Sequence, residues 1–103
     1  MNKAASGKEF RLDLHGAFLR RTDLSSANLK RANLSGADFT NAIFRGADFE
    51  GTILDGTILK GADLTGARNL TLAQLRGAVV DTMTKLPDDF SISEILEDQG
   101  QPG

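Results

Sequence analysis

Three residues spaced twenty apart, His15, Ser35 and Asp55, carry the side chains of nucleophilic hydrolysis. The serine would supply the attacking hydroxyl, the imidazole would take its proton, and the carboxylate would hold the imidazole. That chemistry needs the imidazole between the other two, whereas here the serine is in the middle. If the spacing stacks them in one column, His15 and Asp55 stand ~10 Å apart, two strand spacings. A column of turns also offers no oxyanion donors and no pocket. No catalytic residue is assigned. With one histidine and no cysteine, the chain has no thiolate metal site, disulfide, cysteine nucleophile or two-histidine centre. Its glycines recur every fifth residue as turn formers, so no phosphate-cradling loop is present and no cofactor is expected.

Charge gives a second set of candidates. The 103 residues hold 12 basic and 14 acidic side chains, a net charge of -2, which is no polycation for nucleic acid. Arg20, Arg21, Lys30 and Arg31 cluster early, but a phosphate-tracking stripe needs more charge and exposed aromatics, so they read as solvated turn charges. Residues 1–31 sum to +4, with seven basic and three acidic residues. Residues 81–103 sum to -5, with one basic and six acidic. A tail of that sign could lie on its own first coils or on a neighbour's, though a solvated tail is the simpler reading. No apolar run approaches the ~20 residues of a membrane span, and the first residues lack an apolar leader, so a cytoplasmic location is expected.

What positions these residues is a repeat. From Leu12 to Gly66 the chain divides into eleven groups of five without an insertion. The third position is always Leu or Phe: Leu14, Leu19, Leu24, Leu29, Leu34, Phe39, Phe44, Phe49, Leu54, Leu59 and Leu64. The first position is Ala or Thr in ten of the eleven. A five-residue period suits neither a helix, where it would circle every face, nor a flat strand, where it would alternate faces. Each group must therefore bend. Positions one and three point inward from a short extended piece, and positions four and five turn the chain. Such units stack as a β-solenoid.

Ala32-Asn33-Leu34-Ser35-Gly36 and Ala62-Asp63-Leu64-Thr65-Gly66 match the motif A(D/N)LXX, and the chain resembles the pentapeptide-repeat family. The resemblance implies an all-β solenoid, a right-handed quadrilateral β-helix with four groups per coil. Eleven groups would make nearly three coils. Leu14, Leu34 and Leu54 would then stack, as would Leu19, Phe39 and Leu59, and Leu24, Phe44 and Leu64. The three phenylalanines would plug the middle coil, leaving function to the outside.

Beyond Gly66 an asparagine, Asn69, stands where Leu belongs. Thr71 with Gln74, and Ser91 with Glu94, read as capping boxes. Leu70 with Leu75, and Phe90 with Ile95, are the matching staples. They predict short capping helices near Leu72–Ala78 and Ile92–Glu97, joined by a segment containing Lys85-Leu86-Pro87. The organisation read from sequence is an N-terminal arm and opening strand (1–11), the repeat column (12–66), a capping helix region (67–80) and an acidic tail with a short helix (81–103). Phe10 and Leu12 would plug the first coil, and Met1–Lys8 and Gln99–Gly103 would be mobile.

The second position should face water and is mostly Asp or Asn, yet Phe18, Ile43, Ile53 and Ile58 occupy it in four groups. They are the candidate interface, unless the tail covers them. The expectation is a non-enzymatic interaction or scaffold module that binds another protein or itself, as a homodimer through a coil end or the tail, with no nucleic acid or membrane partner. The alternative, suggested by the resemblance, is a DNA-mimicking protein that binds type II topoisomerase (gyrase) and protects it from quinolones. That role needs long acidic columns, and here Asp23 and Asp63 are separated by Ile43.

Overall fold

Every group of five ends in a residue with left-handed backbone. Gly16, Gly36, Gly46, Gly51, Gly56, Gly61 and Gly66 have φ of 66–70°, and Arg21, Ser26, Arg31 and Asn41 adopt the same region. The amide after each such residue donates to the carbonyl three residues back, as Ala17 does to Leu14 at 3.0 Å and Ala42 to Phe39 at 3.0 Å. A positive φ at the third residue of a hydrogen-bonded four-residue turn is type II geometry. The turn is the bend that the five-residue period requires, and glycine is frequent there because it carries no Cβ penalty.

The computed structural model describes residues 11–98, with side chains over 11–96. The expectations for Phe10, Met1–Lys8 and Gln99–Gly103 lie outside the described residues. Parallel bridges join residues twenty apart, or twenty-one and twenty-two in the last two, in four ladders, one for each side of the column. The first side runs Asp13, Asn33, Ile53; the second Phe18, Asp38, Ile58, Val79; the third Asp23, Ile43, Asp63, Lys85; the fourth Asn28, Asp48, Arg68. Hydrogen bonds repeat from level to level. Leu14 donates to the Asn33 carbonyl at 2.8 Å, and Asn33 donates to the Leu12 carbonyl at 2.8 Å.

Positions one and three fill the interior. Leu34, Phe39, Phe44, Phe49, Leu59 and Leu64 are fully buried, and Ala32, Ala37, Ala42 and Ala47 leave room for them. The ring of Phe44 lies 5.0 Å from that of Phe39, edge to face, and 5.4 Å from that of Phe49. Two of the three Thr that replace Ala at position one donate a buried hydroxyl to a carbonyl of the level below, Thr52 to Leu29 and Thr57 to Leu34, both at 2.7 Å, while half-buried Thr22 donates to Leu19 of its own level. Leu14, Leu19 and Leu24, on the lowest described level, are only half-buried.

The sequence pattern stops at Gly66, but the backbone goes one side further. Arg68 bridges to Asp48 before Asn69 leaves the path with φ 63°. A polar amide cannot fill the core, and the Asn69 side chain turns outward to donate to Asp48 Oδ1 at 2.9 Å. Helix α1 (Leu72–Gly77) follows. Its Thr71 and Gln74 form the full capping box, and the Gln74 amide also donates to the carbonyls of Phe49 and Thr52 at 2.8 and 2.9 Å. Thr52 thereby gains the donor that a further coil would have supplied. Residues 78–86, read from sequence as part of a cap and a connecting segment, lay two more rungs on the column. Val79 bridges to Ile58 and Lys85 to Asp63. Ala78-Val79-Val80 and Thr84-Lys85-Leu86 keep the small-outward-apolar order of a group, and Met83, inserted between them, breaks the count of five. Helix α2 (Ile92–Asp98) packs against α1 with Ile95 fully buried.

Candidate interaction face

The column of His15, Ser35 and Asp55 does not assemble. His15 Nδ1 lies 2.7 Å from Asp13 Oδ1, and the Ser35 hydroxyl donates to Asn33 Oδ1 at 2.7 Å. Both of these position-four groups are taken by their own group's position two, while Asp55 has Ile53 there. The same logic governs the backbone. The side-chain oxygens of Asp13, Asp23, Asn28, Asn33, Asp38, Asp48 and Asp63 each accept the amide two residues on, at 3.0–3.1 Å. Asp and Asn stand at position two because they close this local turn. The spacing, Asp or Asn two residues before the turn's middle, was present in the sequence as a signal for it.

The carboxylates have a second use. Arg20 Nε donates to Asp38 at 2.8 Å and Arg45 to Asp63 at 3.0 Å, while Lys30 lies 3.8 Å from Asp48. In all three a position-four cation meets the position-two acid eighteen residues on, one level up on the same side. Arg68 adds a fourth ion pair, to Asp48 at 3.8 Å. The hydroxyl of Thr40, then Arg20, hold the Asp38 carboxyl down at about 2. Asp48 is lowered chiefly by the Asn69 amide, and Asp13 and Asp23 by His15 and Ser25. Burial pushes Asp63 up, but the Thr65 hydroxyl, its amide and Arg45 together bring it below the ordinary value. Arg20 and Lys30, read from sequence as solvated turn charges, are thus paired to acids. Arg21 makes no ion pair among the described residues, and Arg31 has a partner. Among the described residues no cluster of His, Asp and Glu could hold a metal ion, and no helix is long and apolar enough to cross a membrane.

The four apolar second positions fall on three sides. Phe18 and Ile58 share the second side with Asp38 between them, Ile53 stands on the first and Ile43 on the third. Phe18 is 73% exposed and Ile53 43%, while Ile43 and Ile58 are half-buried. Two residues missed from sequence extend the second side: Val79, directly above Ile58, and Met83, in the turn that follows, 69% exposed. The Ala-x-apolar order at residues 78–80 was the available signal for Val79. The Arg20 guanidinium lies 4.8 Å from the centre of the Phe18 ring while it also holds Asp38. Lys60, in the turn after Ile58, is exposed and makes no ion pair among the described residues.

A column of bent five-residue groups, bridged at twenty-residue steps on four sides, defines a parallel β-solenoid. The family model of pentapeptide repeats matches eight copies over residues 11–46 and 42–80. The chain belongs to the pentapeptide-repeat family. Among solved structures it is similar to the pentapeptide repeat protein Rfr23 from the cyanobacterium Cyanothece 51142, at 32% identity and a TM-score of 0.63. That match covers 72% of this chain and 50% of the other, so the chain spans half of that protein's length. It is also similar to alr5209, a pentapeptide repeat protein from Nostoc Pcc 7120 (30% identity, TM-score 0.33, 82% of each chain). A third is AT2G44920, a pentapeptide repeat protein from the Arabidopsis thaliana thylakoid lumen (28% identity, TM-score 0.36, 74% of this chain and 55% of that one). No curated protein sequence matches the chain. The family and the likeness to Rfr23 imply a right-handed β-helix, a fold that in this family is generally structural and non-catalytic.

Proposed function

We propose that the chain is a non-enzymatic protein-interaction module: a rigid short column, closed at one end by α1 and α2, that presents its second side to a partner. The observation that carries this reading is the exposure of Phe18 at a position where the repeat mostly places a turn-closing Asp or Asn. A large exposed aromatic, followed on the same ladder by Ile58 and Val79, is what a binding surface needs and a solvated face does not. A fixed backbone keeps the ordering cost of binding low. DNA mimicry is the weaker reading. Its acidic columns would need free carboxylates, whereas Asp38, Asp48 and Asp63 are tied to cations and turns.

Phe18→Asp tests the reading cleanly, because Asp is the repeat's own residue at this position and the fold should survive. Affinity capture from source cells is compared for the wild type, Phe18→Asp, and Glu50→Lys in the turn after the fourth side. The expected result is a bound protein kept by wild type and Glu50→Lys and lost with Phe18→Asp. A captured set indifferent to Phe18→Asp overturns the proposal. Inhibition of topoisomerase supercoiling by the wild-type chain would instead favour mimicry.

A further inference from the structure

We infer that the second side is built to receive an amphipathic α-helix laid along the column, with carboxylates on one flank. This rests on the reading of that side as the binding face and names its partner's chemistry. The first argument is spacing. Phe18, Asp38, Ile58 and Val79 follow one another up a single ladder at ~4.8 Å per level. One turn of α-helix rises ~5.4 Å, so over the three steps the two repeats drift apart by only about 2 Å. A helix of about four turns therefore sets side chains at i, i+3 or i+4, i+7 and i+11 opposite successive levels. Apolar residues suit the Phe18, Ile58 and Val79 levels, and Met83 lies just past the last. At the remaining level Asp38 is already held by Arg20 and Thr40, so it makes no further demand on a partner.

The second argument is charge. The corner between the second and third sides carries Arg21 and Lys60, both exposed and without an ion pair among the described residues, whereas Arg20 and Arg45 nearby are satisfied. The one acid of that corner, Asp81, accepts the amides of Gly61 and Met83. Exposed Lys85 stands on the third side above Asp63. The corner between the first and second sides carries His15, Ser35 and Asp55, with His15 held by Asp13. The face is thus an apolar stripe with an excess of cations along one border, Arg21, Lys60 and Lys85 against Asp81. Its complement is an apolar ridge with carboxylates along the matching border. A second copy laid antiparallel on this side would set the cations Arg21 and Lys60 against those of its own kind, which opposes antiparallel self-pairing.

The probes are two 15-residue helical peptides with Leu at i, i+4, i+7 and i+11. One carries Glu along one flank and the other carries Lys at the same places. Each is titrated into ¹⁵N-labelled chain and followed by amide shifts. The acidic-flank peptide should shift residues 18, 38, 58 and 79 and bind at least tenfold more tightly than its basic twin. Arg21→Glu with Lys60→Glu should cost it at least tenfold and reverse the preference between peptides, with the far-ultraviolet spectrum unchanged. Equal binding of both peptides, shifts centred on another side, or concentration-dependent self-association through residues 18–79 each overturns the inference. If capture still depends on Phe18 while the acidic peptide fails, the helix inference alone is lost. If capture is indifferent to Phe18, the binding-face reading is lost as well.

Discussion

Replacing Phe44 by Leu asks how much of the column's stability resides in its aromatic centre. Leu stands at the equivalent place one level down (Leu24) and one level up (Leu64), so the backbone already accommodates it. Phe44 is fully buried and lies between two other rings, at 5.0 Å from Phe39 and 5.4 Å from Phe49. Each such pair contributes about 0.5–1.5 kcal/mol beyond area burial, so losing both costs about 1–3 kcal/mol. The space left by the smaller side chain adds to this, because the stacked levels cannot close around it freely. At about 4–8 °C per kcal/mol for a domain near this size, the melting temperature should fall by roughly 4–24 °C before the added space is counted. The chain has no Trp or Tyr, so melting is followed by far-ultraviolet circular dichroism or calorimetry. Phe18→Leu is the control: its ring is largely in solvent, and the change should stay within about 0.5 kcal/mol. A Phe44→Leu variant as stable as wild type, or one matched by Phe18→Leu, would refute the account of a ring-filled interior.

Gly36→Ala should cost about 1 kcal/mol by urea titration, a backbone cost alone, since φ is 68° and the added methyl meets nothing closer than the Gly16 nitrogen at 4.0 Å. Gln74→Glu keeps the acceptor for the Thr71 amide but removes both donors to Phe49 and Thr52. It should lose about 1–2 kcal/mol and speed amide exchange in α1, and wild-type exchange there would contradict the role given to Gln74. Acid should unfold the column. Asp13, Asp23, Asp38, Asp48 and Asp63 have folded-state values below their unfolded ones, so their contribution is present above about pH 4 and is lost as pH falls toward 2. The urea midpoint should drop over that window and drop less in Asp38→Asn, which cannot gain a proton; a flat midpoint down to pH 2 contradicts the pairing.

The five-residue period was legible because it is covalent arithmetic. A large residue at every third position, with Ala or Thr two before it, fixes which side chains point inward whatever the sides look like. The Thr71–Gln74 capping box was legible for a similar reason, since the two are three residues apart on one helical turn. At the second helix only the Glu94 amide meets the Ser91 hydroxyl, at 3.3 Å, and the reciprocal half of the expected box does not form. What escaped the sequence depended on neighbours twenty residues away. Arg20 read as solvated because its acid, Asp38, is adjacent only after the chain has gone once around. The Asx turns were missed for a different reason: position two was judged by exposure, and the bond it makes is with its own backbone. Val79 was hidden by one extra residue in the stretch that carries α1, and Lys85 by a second, Met83, each of which breaks the count of five without breaking the ladder. The interface candidates divided because the pattern fixes which positions point out but not how much their neighbours cover them. Phe18 stands largely clear, whereas Ile43 and Ile58 are half covered.

Interior and exterior of this column obey different arithmetic. The core repeats every five residues, but an outward side chain meets its counterpart only after twenty. Deleting or inserting a single group would leave Leu and Phe pointing to the axis and the turns intact, yet would rotate everything above it by a quarter revolution. Made between Arg20 and Asp38, such a change would leave Phe18 sharing a ladder with neither Ile58 nor Val79, and Arg20 would lose Asp38. Length changes in fives are consequently silent to the fold and scrambling to the surface, and only a whole lap of the chain adds height while keeping each face's identity.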